Sequence, residues 1–294
     1  SYEIIRDPIF EEYFVNLSEE LRLKKQNVYL ISNKSANAFV INNNIYFTTG
    51  LLEMINNEDT LKAIYFHEYG HIIRRHFQNK KIQIQESNNR NFLINLVSIG
   101  LVVVSGNTNV GLGTSLTLNS ELVNEISKLS INFEIEADNY MIDQIKKNKI
   151  NTLELISLLS EVSKPNNNYF RTHPKNIDRI NNLKQLNYKK NKNSILFNWI
   201  KSKYSNNSDN ESFNIFFQNL EKGIFDEKLK LNIDNKELIL YEAFKKGFFV
   251  DDWNNKFLKL LTINNNSFLK IEYINYILDN NIENKYFIIE DLKF

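Results

Sequence analysis

The chain has no cysteine, which removes disulfide frameworks, cysteine-ligated zinc ribbons, iron–sulfur clusters and thiol catalysis together. Only 8 glycines and 3 prolines among 294 residues exclude collagen-like, proline-rich and glycine-rich architectures. Charge of one sign is missing too. With 36 basic and 35 acidic side chains, the formal charge of +1 leaves no broad electrostatic footprint for nucleic acid or an anionic membrane. The longest apolar run, residues 92–104, is interrupted by Asn95, Ser98 and Gly100 and falls short of the roughly 20 residues that span a bilayer. It reads as a buried helix, or as one that dips into a membrane face or covers a substrate groove, so membrane contact is at most peripheral. What remains, 42% hydrophobic and 24% charged, is the composition of a folded chain rather than a disordered one. At ~150 residues per domain, the length holds about two domains. The chain opens at Ser1 without a methionine or a basic-then-apolar segment, as after removal of a leader or trimming of the end.

Apolar positions at helical spacing (Phe10, Tyr13, Phe14, Leu17, Leu21) predict an amphipathic helix over 9–24. Residues 28–31 read as a strand. Two β-rich runs, 37–41 and 45–49, flank Asn42-Asn43-Asn44 as a hairpin, since asparagine tolerates positive φ better than most residues. Gly50 opens a short helix over 51–55. A stronger helix over 59–77 has Glu58 and Asp59 at its start and Arg74 and Arg75 near its end, as the macrodipole favours. After a Gly/Ser/Thr-rich connector over 105–117 come a long helix over 121–147 and a short one over 152–162, stopped before Pro165. From residue 190 onward, aromatic-rich helical patches alternate with polar connectors, and 238–246 with 252–261 reads as a helical hairpin around Gly247. The expected fold class is α+β, mainly α: residues 1–189 form a domain with a small β-sheet, and residues 190–294 an α-helical, repeat-like domain.

The chemistry gathers at His67-Glu68-Tyr69-Gly70-His71, an H-E-x-x-H on the helix over 59–77. At ~100° per residue the two histidines stand about 40° apart on the helical wheel, so both imidazoles point the same way. Glu68 flanks that face, giving two zinc ligands and a carboxylate that can reach water on the metal. A catalytic zinc site also needs a third protein ligand and an open fourth position. On the long helix, Glu134 and Asp138 share a face at i, i+4, while Glu136 points the other way. Glu134 can complete a His₂Glu set, and Asp138 can accept a hydrogen bond from the outer nitrogen of a ligating histidine. The plain alternatives are two surface histidines and an acidic pair on a solvated face. His76 lies about 140° round the helix from His71 and is read as structural.

Asn37-Ala38-Phe39, Gly50-Leu51-Leu52, His67-Glu68-Tyr69-Gly70-His71, Glu134-Ile135-Glu136-Ala137-Asp138 and Thr172-His173-Pro174 resemble, in this order, the motifs of one family. It is the gluzincin metallopeptidase family that includes HtpX and the CAAX prenyl endopeptidases, and the likeness is greatest to its soluble periplasmic BepA-like branch. The resemblance covers residues 5–185 and leaves the tail unmatched. It implies a zincin-type domain that hydrolyses peptide bonds in protein or peptide substrates. One zinc ion would be bound by His67, His71 and Glu134, with Glu68 as general base and Asp138 behind a ligand. Substrate would lie along the hairpin strand at Asn37 and Ala38, where main-chain pairing tolerates many sequences.

The same resemblance matches His173 to a histidine near the metal that either stabilises the oxyanion or fills the open position in a latent state. Without that role it is a loop histidine fixed by Pro174. Arg179 reads either as an anchor for a carboxylate near the site or as an ordinary surface arginine. Relatives often carry glycines where this chain has Asn42, Asn43 and Asn44, and an arginine where it has Ile131. Together with the missing methionine, the resemblance predicts an exported, periplasmic bacterial protein engaged in envelope protein quality control. The helical tail is expected to recruit protein partners, because stacked helical hairpins create concave surfaces. The competing reading is a chaperone-like client-binding protein whose zinc site is latent or structural.

Overall fold

The computed structural model of the chain describes residues 3–79, 82, 120–161, 177–186, 188–224 and 236–246. The chain divides into two units, residues 1–209 and 210–294. In the first, β1 (Glu3–Ile5) leads into α1 (Pro8–Glu20). Asp7 starts this helix: its Oδ1 accepts the N–H of Ile9 at 3.0 Å and of Phe10 at 3.2 Å. Pro8 follows it, where a missing N–H breaks no helical bond.

Strands β2 (Val28–Ser32), β3 (Ala38–Ile41) and β4 (Asn44–Thr48) complete a four-stranded sheet in the order β1-β2-β4-β3. β2 and β4 run parallel, and the other two pairs are antiparallel. The expected hairpin is β3–β4. Asn42 (φ 49°) and Asn43 (φ 65°) both occupy the left-handed region, as a two-residue type I′ turn requires. Asparagine therefore supplies both left-handed residues of this turn. Because β4 inserts beside β2, β3 is left as an edge strand. Val28, Leu30, Ile45 and Phe47 point to the buried face, where Phe14 of α1 stacks on Phe47 with ring centroids 5.1 Å apart. On the other face Tyr46 touches Tyr29 at 5.4 Å and Phe39 at 5.2 Å.

α2 (Thr49–Met54) follows β4 directly. Thr48 joins the two, because its Oγ1 accepts the N–H of Leu51 at 3.3 Å and of Asn37 at 2.8 Å and donates to the Ser35 carbonyl at 2.8 Å. Gly50 donates its N–H to the Asn33 carbonyl at 2.8 Å. A Cβ there would sit 2.1 Å from the Lys34 carbonyl oxygen, so the loop 33–35 can close on α2 only over a glycine.

α3 (Glu58–Ile73) is the central helix, and every residue from Glu58 to Gly70 except Lys62 is buried. A helix apolar on nearly all sides belongs in an interior. Its N-terminus is capped by Asn57, whose Oδ1 accepts the Thr60 N–H at 2.8 Å. Glu58 accepts from the Tyr13 hydroxyl at 3.0 Å and pairs with Lys62 at 3.3 Å. Asp59 accepts the backbone N–H of Asn151 at 3.2 Å and of Asn191 at 3.1 Å. Both acids stand at the positive end of the helix dipole, which offsets part of their burial. The helix stops short of the expected residue 77. Arg74 caps it by donating to the Gly70 carbonyl at 3.1 Å, Arg75 turns left-handed (φ 55°), and the chain is helical again over 76–79.

α4 (Ser120–Asn148), α5 (Leu153–Glu161), α6 (Ile177–Lys184) and α7 (Ile195–Ser205) complete the first unit. α4 packs along α3, and α7 packs on α1 and α2. The buried Lys201 of α7 donates to the carbonyls of Leu52 at 2.8 Å and Glu53 at 2.9 Å, groups that the end of α2 leaves without helical partners. Burial pushes this lysine down to about 8.

In the second unit lie α8 (Glu211–Glu221) and α9 (Lys236–Lys245). Phe213, Phe216, Phe217 and Leu220 are buried, so the aromatic patch on α8 is core. The apolar run 92–104, the connector 105–117, the turn at Gly247 and the expected helices beyond it lie outside the described residues. Among the described residues, no helix is long and apolar enough to cross a membrane. The architecture is mainly helical with a small mixed sheet, the expected α+β class.

Candidate metal centre

Two packed helices bring the expected residues together. α3 carries His67 and His71 one turn apart, and their Nε2 atoms stand 3.2 Å from each other. α4 carries Glu134, whose Oε2 is 3.2 Å from His67 Nε2 and whose Oε1 is 3.4 Å from His71 Nε2. The three residues each offer one ligand atom, all within 4.8 Å of one another. Ligands held about 2.0–2.1 Å from zinc at tetrahedral angles lie about 3.3–3.4 Å from each other. The two Nε2 atoms stand near that separation, and Glu134 faces each of them with a different oxygen of one carboxylate. Charge agrees with it: Glu68, Glu134, Asp138 and Arg179 are all buried. Three carboxylates against one guanidinium leave an excess of negative charge that favours a cation. The residues present therefore fit a single zinc ion.

The helices meet this closely because of Gly70. A Cβ there would lie 3.1 Å from Ala137 Cα, 3.2 Å from the Ala137 carbonyl oxygen and 3.3 Å from Tyr140 Cβ. Gly70→Ala is expected to pull two ways. Alanine favours a helix by ~1 kcal/mol, whereas overpacking costs about 1–3 kcal/mol. Folding stability should change little, while zinc affinity falls about tenfold, since ligands tolerate displacements of only about 0.5 Å. Calorimetric zinc titration beside thermal unfolding of the metal-free protein measures both effects.

Around the ligands, the outer ring nitrogens are also held. His67 Nδ1 lies 2.9 Å from Asp138 Oδ1, a proximity that favours the proton on Nδ1 and turns Nε2 toward Glu134. Burial alone would depress His67. Its hydrogen bonds to Asp138 and Glu134 outweigh that and push the imidazole up to about 9. Arg179 of α6 is buried and decides between its two readings: its Nε donates to Asp138 Oδ2 at 2.7 Å, and one terminal nitrogen reaches Glu134 Oε2 at 3.5 Å. It is a carboxylate anchor. No local signal picks it out, because its partners lie more than forty positions earlier in the chain.

His76 stands nearer the site than the helical wheel allows. Because α3 ends and Arg75 turns left-handed, its ring folds back until Nδ1 is 2.9 Å from His71 Nδ1. Its Nε2 is 3.2 Å from Glu136 Oε2, and its face stacks on Phe133 at 4.3 Å and 15°. Burial lowers His76 from the usual histidine range, with Glu136 opposing. It is not among the three clustered ligands. Reading Arg74-Arg75 as the helix end, rather than as its last turn, would have freed His76 from the wheel.

Glu68 is fully buried on α3 beside His67. Asn37 and Ala38 are buried at the start of the edge strand β3, which packs beside α3. Ile131 is half-exposed on α4. His173 lies outside the described residues.

Two imidazoles from one helix and a carboxylate from its neighbour define the class of metal-dependent hydrolases with a His₂Glu donor set. The sequence model of Peptidase family M48 matches residues 7–187. The chain belongs to that family and is a metallopeptidase; the matched span contains every donor described above. No curated protein matches the chain.

Proposed function

We propose that the chain is a zinc-dependent endopeptidase in which His67, His71 and Glu134 hold one zinc ion. The observation that carries this reading is the convergence of one donor atom from each of the three residues to within 4.8 Å of one another, with the two imidazole Nε2 atoms 3.2 Å apart. Bound there, zinc would supply Lewis-acid chemistry, polarising the scissile carbonyl and lowering the pKa of water toward ~7. Glu68 takes the proton of the attacking water and delivers it to the leaving amine. Asp138 holds His67 so that its Nε2 lone pair faces the metal, and Arg179 in turn holds Asp138 and Glu134 against the two helices.

Substrate peptides add to the edge of β3, beginning at Asn37 and Ala38. This strand lies beside α3, and main-chain pairing makes no demand on side-chain identity. His173, from the motif resemblance, would face the oxyanion or latch the site. The motif resemblance to the soluble periplasmic BepA-like branch supports a role in envelope protein quality control, in which the helical tail presents clients or partners.

Casein separates this from the client-holding alternative. The zinc-loaded chain is expected to cleave it, to stop when 1,10-phenanthroline removes the metal, and to resume when zinc is restored. Casein binding without cleavage at any zinc concentration would overturn the peptidase reading of this site.

A further inference from the structure

We infer that His76, braced by Glu136 and Phe133, is a positioning residue that fixes the tautomer and ring orientation of His71. The inference rests on the zinc-site reading above. A carboxylate only accepts hydrogen bonds. Glu136 Oε2, 3.2 Å from His76 Nε2, therefore requires the proton of the neutral His76 ring to sit on that nitrogen. His76 Nδ1 is then a lone pair, and at 2.9 Å it accepts the Nδ1–H of His71. With Nδ1 protonated, His71 presents an Nε2 lone pair to the metal. The opposite direction would set the His76 Nε2 lone pair against the carboxylate and place a proton on the very nitrogen that must bind zinc.

The ring plane is set as well. Phe133 and Glu136 are three apart on α4, one stacking on the face of His76 at 15° and the other holding its edge. Glu134, the ligand, lies between them in sequence. A single turn of α4 thus supplies a donor to the metal and the brace behind another donor. The two imidazoles are served differently: Asp138 takes the outer nitrogen of His67 directly at 2.9 Å, whereas His71 reaches its carboxylate through an intervening ring. This arrangement exists only because the chain leaves the helix at Arg74 and turns left-handed at Arg75.

Three variants of the whole chain test it, with zinc affinity measured by competition against a chromophoric chelator and cobalt spectra recorded in parallel. His76→Phe keeps the stack on Phe133 but offers no acceptor. It should weaken zinc binding 10–100-fold and alter the cobalt ligand-field bands, with metal-free thermal unfolding unchanged. His76→Asn places an amide oxygen near the Nδ1 position and should bind zinc within about threefold of the parent. Glu136→Leu, at a half-exposed site that does not threaten folding, should weaken binding several-fold.

Parent-like affinity in both His76→Phe and Glu136→Leu, or an equal loss in His76→Asn and His76→Phe, overturns the inference. His67→Ala is the control. If the parent and His67→Ala bind zinc alike, the metal-site reading itself fails, and that outcome cannot be mistaken for failure of the relay.

Discussion

Glu68→Gln is expected to lower casein cleavage by about 10²–10⁴-fold, the span that a positioned general base contributes, while zinc content stays at one ion per chain. The substitution preserves the shape of the side chain and removes only its ability to take a proton. Glu68 is not among the three clustered donors, so no ligand is lost. His67→Ala should do the reverse in order of cause: it removes a donor, the metal leaves, and activity goes with it. Metal analysis of the two purified variants, beside their cleavage rates, distinguishes a lost base from a lost ion. Full activity in Glu68→Gln would show that the proton is carried by another group.

Arg179→Met should be the most destabilising single change at the site. The methionine replaces the stem but leaves Asp138 and Glu134 buried without their guanidinium, whose shorter contact is 2.7 Å. Removing one partner of a buried ion pair typically costs about 3–5 kcal/mol. Zinc supplies positive charge beside the same carboxylates, so the loaded protein should lose less than the metal-free one. Denaturant unfolding of both forms, parent and variant, reads the difference. Arg179→Lys should rescue only part of it, because one ammonium cannot reproduce two donors set at a fixed angle toward two acids. A loss below about 1 kcal/mol in the metal-free variant would place Arg179 among ordinary surface contacts.

How much of this was legible in the sequence depends on how locally each feature is specified. The two-histidine face of α3 follows from helical pitch, and the hairpin from asparagines that accept positive φ. The acids heading α3 and the long span of α4 were equally plain. β1 is three residues long, too short for any period to register. The sheet order was hidden for a different reason: the parallel pairing of β2 with β4 joins strands separated by another, and no pattern within either strand encodes it. Arg179 was visible as a residue but not as a contact. His76 was read rightly as no ligand, and its closeness to His71 was missed on an assumption, that the helix continues, which one left-handed residue undoes.

The anchoring of α3 has a bearing on how a minimal catalytic fragment could be excised. Asp59 accepts the backbone N–H of Asn191 at 3.1 Å, the Asn193 side-chain oxygen accepts the Glu58 N–H at 2.9 Å, and Lys201 closes the end of α2. Asn191, Asn193 and Lys201 lie downstream of the 7–187 family match. A fragment cut where family likeness ends would strip part of the hydrogen bonding from the head of α3, the helix that carries His67 and His71, leaving Glu58 to Tyr13 and Lys62 and Asp59 to Asn151. The working boundary belongs after α7, and the residues that tether the active helix are ones that family likeness alone would discard.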